Sequence, residues 1–323
     1  VSVSIITRTL GRDCLADAAA AVAAQTLSPL EWVVVDAAGE GLAPPPAGAV
    51  PVRVVSTGAR LPRSRAANAG LDAARGDRLL VLDDDDLIAP AHLEHLARAL
   101  DATPSARVAY SDWEAQQAPE SRVGGHAPAF SPLLLARRNL FPPHAALFDA
   151  RLVRDAGCRF DETLEYFEDW DFWLALARHG PFVHSPGCTA TYRTFLSQSG
   201  IHGHGQGATD PRIDGDHGRI RARYREDTRR LEDAQAARKA AARDAYRRAD
   251  LPRAAEAWSA AHLADPDDAE PIAGYADVAV RAGDLVTARA ILGQGLARLP
   301  GRPALAERLA EVEARLASGP PAE

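Results

Sequence analysis

The chain has 323 residues, 46% hydrophobic and 25% charged, and a formal net charge of −7. Its length suits one large domain plus a small one, and its composition is that of an ordinary soluble globular protein. The acidic balance gives no general attraction to nucleic acid or to an anionic membrane. No run reaches the roughly 18 apolar residues of a membrane helix, so no transmembrane segment is expected. Cys14, Cys158 and Cys188 are odd in number and widely spaced, which argues against a disulfide framework and for a reducing compartment. Arginine outnumbers a single lysine, Lys239, and alanine is abundant, a bias read as GC-rich bacterial coding. The chain starts at Val1 without Met, so it is compatible with one module of a longer protein.

Residues 1–112 alternate strand-like and helix-like segments. Val1–Thr7 reads as a strand and Cys14–Thr26 as an alanine-rich helix. Glu31–Asp36 and Val52–Ser56 read as strands. Pro62–Arg75 reads as a helix with Pro in its first turn and Gly76 just past its end. Arg78–Leu82 is a further strand, Pro90–Asp101 a helix with Leu93, Leu96 and Leu100 on one stripe, and Val108–Ser111 another strand. Such alternation predicts an α/β domain with a largely parallel sheet. Residues 113–160 are broken by prolines and resist assignment. Glu165–His179 reads as a helix with an apolar stripe of Trp170, Trp173, Leu174 and Ala177. Residues 197–218, rich in Gly, Ser, His and Asp, read as a mobile loop.

From Arg219 onward the pattern is helical, with a repeat of 34 residues. Asp250 matches Asp284, Leu251 matches Leu285, Ala254 matches Ala288 and Pro266 matches Pro300. Two such units and a closing helix from Arg302 to Leu316 resemble tetratricopeptide repeats. The expected division is therefore an α/β domain over 1–216 and an all-α repeat domain over 219–323. Repeat arrays present concave surfaces to peptides, so a protein partner is one expectation for this part.

The chemistry concentrates at the predicted strand ends. Thr7 and Arg8 follow the first strand, Asp36 ends the second, and Asp83-Asp84-Asp85-Asp86 follow Leu79–Leu82. In an open parallel sheet these ends form one edge, where ligands bind. Four adjacent carboxylates need cations or strong donors nearby. An oxygen-rich, thiol-free setting suits a hard divalent ion. In an extended segment Asp83 and Asp85 point one way and Asp84 the other, so a D-x-D pair can serve one ion; Asp86 is expected to brace the turn. A plain solvated acidic turn is the competing reading. Arg65 and Asn68 share a helix face that can look toward this edge, whereas Arg63 is expected to lie at the surface. Glu168 and Asp169 fall in the first turn of a helix, where the macrodipole favours an ionised carboxylate fit to be a general base; helix capping is the bland alternative. His202 and His204, in the polar loop, are candidate extra ligands, and His144 is a candidate on an acceptor side.

In this order, Thr7-Arg8-Thr9, Gln25-Thr26, Glu31–Asp36, Arg63–Gly76, Leu82–Asp86, Glu168-Asp169-Trp170-Asp171 and Tyr192-Arg193 resemble a family 2 glycosyltransferase of GT-A fold over roughly residues 1–200. The resemblance implies an inverting transfer from a UDP-, GDP- or dTDP-sugar to a hydroxyl of a cell-surface glycan, a lipid-linked saccharide or a protein. It implies that Thr7, Arg8 and Asp36 contact the nucleoside, and that Arg65 and Asn68 shape the donor pocket. Asp83 and Asp84 would hold the ribose and diphosphate side, and Asp85, with Asp83, a Mn²⁺ or Mg²⁺ ion. Asp169 would be the base supported by Glu168, and Trp170, His144 and Arg193 would stand on the acceptor side. Ala37-Ala38-Gly39 replace the second acid that such enzymes usually carry after the residue at Asp36, which leaves the nucleotide open. A cytoplasmic enzyme, or one peripheral to the inner face of the membrane, is expected. A non-catalytic scaffold acting through the repeats is the alternative. A nucleotidyltransferase would want a Gly- and Lys-rich loop that the chain lacks.

Overall fold

The computed structural model describes residues 1–125, 127–196 and 210–318. The chain divides into two compact units, Val1–Phe130 with Arg138–Tyr224, and Ser131–Arg137 with Arg225–Glu323.

The first unit is built on one sheet. Its strands are β1 (Val3–Thr9), β2 (Glu31–Asp36), β3 (Val52–Ser56), β4 (Arg78–Val81), β5 (Leu87–Ile88), β6 (Val108–Ala118), β7 (Ser121–Gly125), β8 (Ala146–Asp149) and β9 (Phe182–Arg193). Their order is β3-β2-β1-β4-β8-β6-β9-β5, with β7 pairing on β6. β1 to β4 pair in parallel, β8 runs against both β4 and β6, and β6 and β9 are parallel. The sheet is therefore mixed, yet β1, β2, β3, β4, β6 and β9 all point the same way. Their carboxyl ends share one rim.

The helices in chain order are α1 (Leu15–Ala23), α2 (Arg63–Ala73), α3 (His92–Ala102), α4 (Pro132–Arg137), α5 (Arg151–Arg154), α6 (Glu168–Ala177), α7 (Pro211–Arg223), α8 (Arg225–Arg247), α9 (Leu251–Ala264), α10 (Ala269–Arg281), α11 (Leu285–Arg298) and α12 (Pro303–Ala317). α4 and α8–α12 make up the second unit, and the others belong to the first. β1 is buried on both faces and reads Val-Ser-Ile-Ile-Thr-Arg-Thr, as expected for a strand covered by helices above and below. Val3 and Ile5 pack with α1 and α3 in a core that includes Trp32, Val34, Leu80 and Leu93. Ile6 faces α2, where a Cβ on Gly70 would come within 2.3 Å of the Ile6 Cγ2. Gly70 thus lets α2 lie directly on the sheet. Gln25 joins α1 to α3: its Nε2 donates to the carbonyls of Ala21 and Ala89 and its Oε1 accepts from the Leu93 N–H.

Two expectations change. Residues 210–218 are not loop: α7 starts at Pro211, capped by the Asp210 carboxylate on the Arg212 N–H, a start that Asp-Pro encodes. Residues 113–160 hold regular structure, namely the remainder of β6, β7, β8, α4 and α5. Their edge-strand polarity and prolines hid it.

In the second unit, α9 and α11 begin 34 residues apart and have equal length. Asp250 and Asp284 cap them through the Arg253 and Thr287 N–H groups. Ala249 (φ 62°) and Gly283 (φ 85°) make the same left-handed turn before each cap. Ala254 and Ala288 are both fully buried. α4 is tied into this unit: Ser131 Oγ donates to the Ala264 carbonyl, and Arg137 pairs with Asp265 at 2.6 Å.

Candidate active site

The rim of the first unit carries two adjoining cavities. The larger, about 390 Å³, is lined by Arg8, Thr9, Arg12, Ala37, Arg60, Arg63, Asp83, Asp84, Asp85 and Tyr192 among others. The smaller, about 240 Å³, is lined by Trp113, Asn139, Phe141, Pro142, Phe167, Glu168 and Asp169 among others. Arg63, Asp83 and Tyr192 belong to both and form their common wall.

The aspartates after β4 are all buried, and each is held differently. Asp83 accepts from Arg8 Nε at 2.7 Å and from Arg63 at 3.1 Å. Burial alone would disfavour its charge, but these two guanidiniums win and hold its carboxyl well below the usual range. Asp84 accepts from the Thr9 hydroxyl at 2.6 Å and pairs with Arg12. Asp86 accepts from the Arg193 N–H and lies 3.0 Å from His144 Nδ1. Asp85 has a partner in Arg12 at 3.0 Å, yet burial and the charges of Asp86 and Asp83 push its carboxyl up to about 6. Oxygens of Asp83, Asp85 and Asp86 lie within 4.8 Å of one another. A thiol-free set of carboxylate oxygens with one member short of positive charge fits a hard divalent cation, and Asp85 is the residue with most to gain from one.

Across the common wall, Glu168 is paired with Arg8 at 3.1 Å and Arg63 at 2.9 Å. Among the described residues, Asp169 next to it makes no ion pair, and Arg63 acts on it only from further off. Its Oδ2 accepts from Asn139 Nδ2 at 2.7 Å, and its Oδ1 from the Trp170 N–H at 2.8 Å. Burial, then the charge of Glu168, push its carboxyl up to about 6. Both carboxylates sit at the N-terminus of α6. The turn into that helix is tight: Phe167 adopts φ 59°, a left-handed conformation costly for a bulky residue. α7 holds the turn in place. Asp216 accepts from the Glu165 and Tyr166 N–H groups, His217 stacks on Trp170 at 5.3 Å, and Arg223 pairs with Asp161 and Asp171.

Of the expected site residues, Arg8, Asp83, Asp84, Asp85, Glu168 and Asp169 come together here. Several others stand elsewhere. β1 runs two residues past Thr7, and neighbours on a strand face opposite ways. Arg8 therefore turns to the rim, while Thr7 turns inward and accepts from the Trp32 indole N–H. Asp36 is at the end of β2, but its oxygens accept from the Gly39, Gly41 and Leu42 N–H groups and the Ser56 hydroxyl; these donors overcome burial and lower its pKa. Asn68 bonds both backbone polar groups of Phe160, tying α2 to that segment. Arg65 is exposed and outside both cavities, whereas Arg63, expected at the surface, is the cation they share. Trp170, His144 and Arg193 are buried behind the walls. Arg193 supports the tetrad from below, through its N–H on Asp86 and its guanidinium on Asp17. His202 and His204 lie outside the described residues. Arg12, Arg60, Asn139 and Trp113 were not singled out from sequence; they sit in loops or long-range pairings without a local pattern.

Residues 2–147 match the family described as glycosyl transferase family 2. The chain is 28% identical over 189 residues to an uncharacterized glycosyltransferase, YwdF, of Bacillus subtilis (strain 168), covering 55% of this chain and 69% of that protein. It is 29% identical over 162 residues to the succinoglycan biosynthesis protein ExoO of Rhizobium meliloti (strain 1021), covering 44% of this chain and 45% of that one. Among solved structures, S. aureus TarS 1-349 in complex with UDP-GlcNAc is similar at 15% identity and a TM-score of 0.50, covering 99% of this chain and 92% of that chain. The first unit therefore has the GT-A fold and is followed by a helical region, its residues 2–147 are similar to the glycosyl transferase family 2 model, and these likenesses support a glycosyltransferase.

Proposed function

We propose that the protein is an inverting, divalent-metal-dependent glycosyltransferase that moves a sugar from a nucleoside-diphosphate donor in the larger cavity to an acceptor hydroxyl in the smaller one. The observation that carries this reading is the shared wall: the cation-deficient Asp85 is on one side and the base-like Asp169 on the other, with Arg63, Asp83 and Tyr192 between. A UDP-sugar is the first donor to try, because a protein of the same fold, TarS, has been solved with UDP-GlcNAc.

Asp85 and Asp83 would hold a Mn²⁺ or Mg²⁺ ion, which supplies positive charge to the departing diphosphate when bound. Arg8 and Arg63 each pair with both Asp83 and Glu168 and so offset the repulsion between the two carboxylates. Asn139 and the Trp170 N–H each occupy one lone pair of Asp169 and leave others for the acceptor. Asp169 takes the hydroxyl proton as the acceptor oxygen bonds the anomeric carbon. The bond from that carbon to the diphosphate oxygen breaks on the opposite face, and its electron pair leaves with the nucleotide. Trp113, Phe141 and Phe167 give the acceptor cavity aromatic walls, which suit the apolar faces of sugar rings and favour a glycan acceptor.

The helical unit is read as two tetratricopeptide-like repeats with a closing helix, on the 34-residue recurrence of caps, turns and buried alanines. Among the described residues no helix is long and apolar enough to cross a membrane; a cytoplasmic enzyme, free or peripheral, is our reading. Release of nucleoside diphosphate from a panel of UDP-, GDP- and dTDP-sugars with Mn²⁺ tests the proposal. Turnover of one donor that stops on chelation of the ion supports it. Absence of binding and turnover for every donor would return the balance to a non-catalytic scaffold.

A further inference from the structure

Asp83 has two guanidiniums, and Asp86 has His144 and a backbone N–H. Among the described residues the cation on the Asp85 carboxylate is Arg12. Arg12 follows β1 and lines the larger cavity, and it reaches across the mouth of the tetrad. Its Nε donates to Asp84 Oδ2 at 3.2 Å, and the same guanidinium contacts Asp84 Oδ1 and lies 3.0 Å from Asp85 Oδ2. Its remaining nitrogen donates to the Leu196 carbonyl at 3.2 Å. One of these contacts reaches Asp85, while those to Asp84 and Leu196 hold the guanidinium in place over it. A guanidinium does not lose its proton in a protein, so its charge opposes a dication at the same carboxylate, and moving away relieves that repulsion.

We propose that Arg12 is the built-in counter-ion of the cation position. It occupies Asp85 while the donor cavity is empty and releases Asp85 when a diphosphate arrives to take the guanidinium in a bidentate contact. Divalent ion and nucleoside diphosphate then bind as a linked pair, each weak alone, because each removes the obstacle to the other. Arg12 is on this account a positioning residue that acts through Asp85. The inference rests on the metal-dependent reading above.

The test is Mn²⁺ titration of nucleotide-free protein, followed by electron paramagnetic resonance of free Mn²⁺, for wild type, Arg12→Gln and Arg12→Lys. Arg12→Gln should bind Mn²⁺ about tenfold tighter than wild type. Arg12→Lys, which keeps the charge, should stay near wild type. Adding UDP, GDP or dTDP in parallel should tighten Mn²⁺ binding less in Arg12→Gln than in wild type. Arg12 is part-exposed on a connecting segment, and near-ultraviolet circular dichroism checks that each variant is folded. Equal or weaker Mn²⁺ binding by folded Arg12→Gln overturns the proposal, as does a gain in Arg12→Lys as large as in Arg12→Gln. These outcomes are independent of donor turnover. Tighter Mn²⁺ in Arg12→Gln, with no sugar transfer by wild type from any donor, upholds the counter-ion and sinks the metal-dependent transfer reading. Transfer without the gain does the reverse.

Discussion

At the residue scale, the two carboxyls pushed up to about 6, Asp85 and Asp169, mark the two halves of the reaction. A base must be ionised to accept a proton. At saturating Mn²⁺, which would keep Asp85 ionised, kcat/KM should fall below about pH 6 by close to tenfold per pH unit, and the profile of Asp169→Asn should lack that limb. The stability sign is opposite. Between pH 3.8 and about 6 folded Asp169 keeps a proton that the unfolded chain releases. Its contribution to stability therefore declines as pH rises through that window. Arg63 and Arg65 give a direct contrast. Arg63→Ala should remove a cation from both Asp83 and Glu168 and cost roughly 1–3 kcal/mol by denaturant unfolding, less than a fully buried pair because Arg63 is part-exposed. Arg65→Ala should stay within about 0.5 kcal/mol. Similar losses for both would refute the assignment of Arg63 to the common wall. From sequence the two arginines look alike. Only the docking of α2 on the sheet decides which one turns to the rim.

At the element scale, α2 and α7 position the site. A methyl at Gly70 would meet Ile6 Cγ2, so Gly70→Ala should shift α2, destabilise by about 1–3 kcal/mol and weaken donor binding through Arg63. Asp216 restrains the Glu165–Tyr166 backbone before Asp169. Asp216→Ala should lower kcat while leaving donor affinity near wild type; a loss confined to donor affinity would contradict the role given to α7. The rim was legible because β-branched runs ending in Asp or Arg mark strand ends, and that pattern is local. α7 was misread because its first residues, Pro-Arg-Ile-Asp-Gly-Asp-His-Gly, look like a loop in isolation. It forms a helix because Asp210 caps it and because Asp216, His217 and Arg223 have partners far away in sequence. Asp36 does end β2, but Thr7 lies inside β1 and Asn68 is bonded to Phe160, because strand alternation, loop amides and helix docking decide where their polar atoms point.

At the scale of the molecule, the family match covers residues 2–147, while Asp169 and its supports come later in the chain. The helical unit includes α4, drawn from the middle of the first unit's sequence. Leu133, Leu134 and Leu135 on α4 are buried. A chain cut after Tyr224 would lose the helices α4 is tied to, and it should express with lower soluble yield than the full chain. The 34-residue recurrence was legible because caps and small residues repeat locally; the capture of α4 was not, since Ser131–Ala264 and Arg137–Asp265 join residues more than a hundred positions apart. The central claim is that donor and acceptor chemistry meet at one wall, with Asp169 as base. It is tested most directly by measuring donor affinity and transfer rate side by side for wild type and Asp169→Asn with Mn²⁺. The prediction is unchanged donor affinity with transfer reduced by about a thousandfold. Near-normal transfer with weakened donor binding would contradict it.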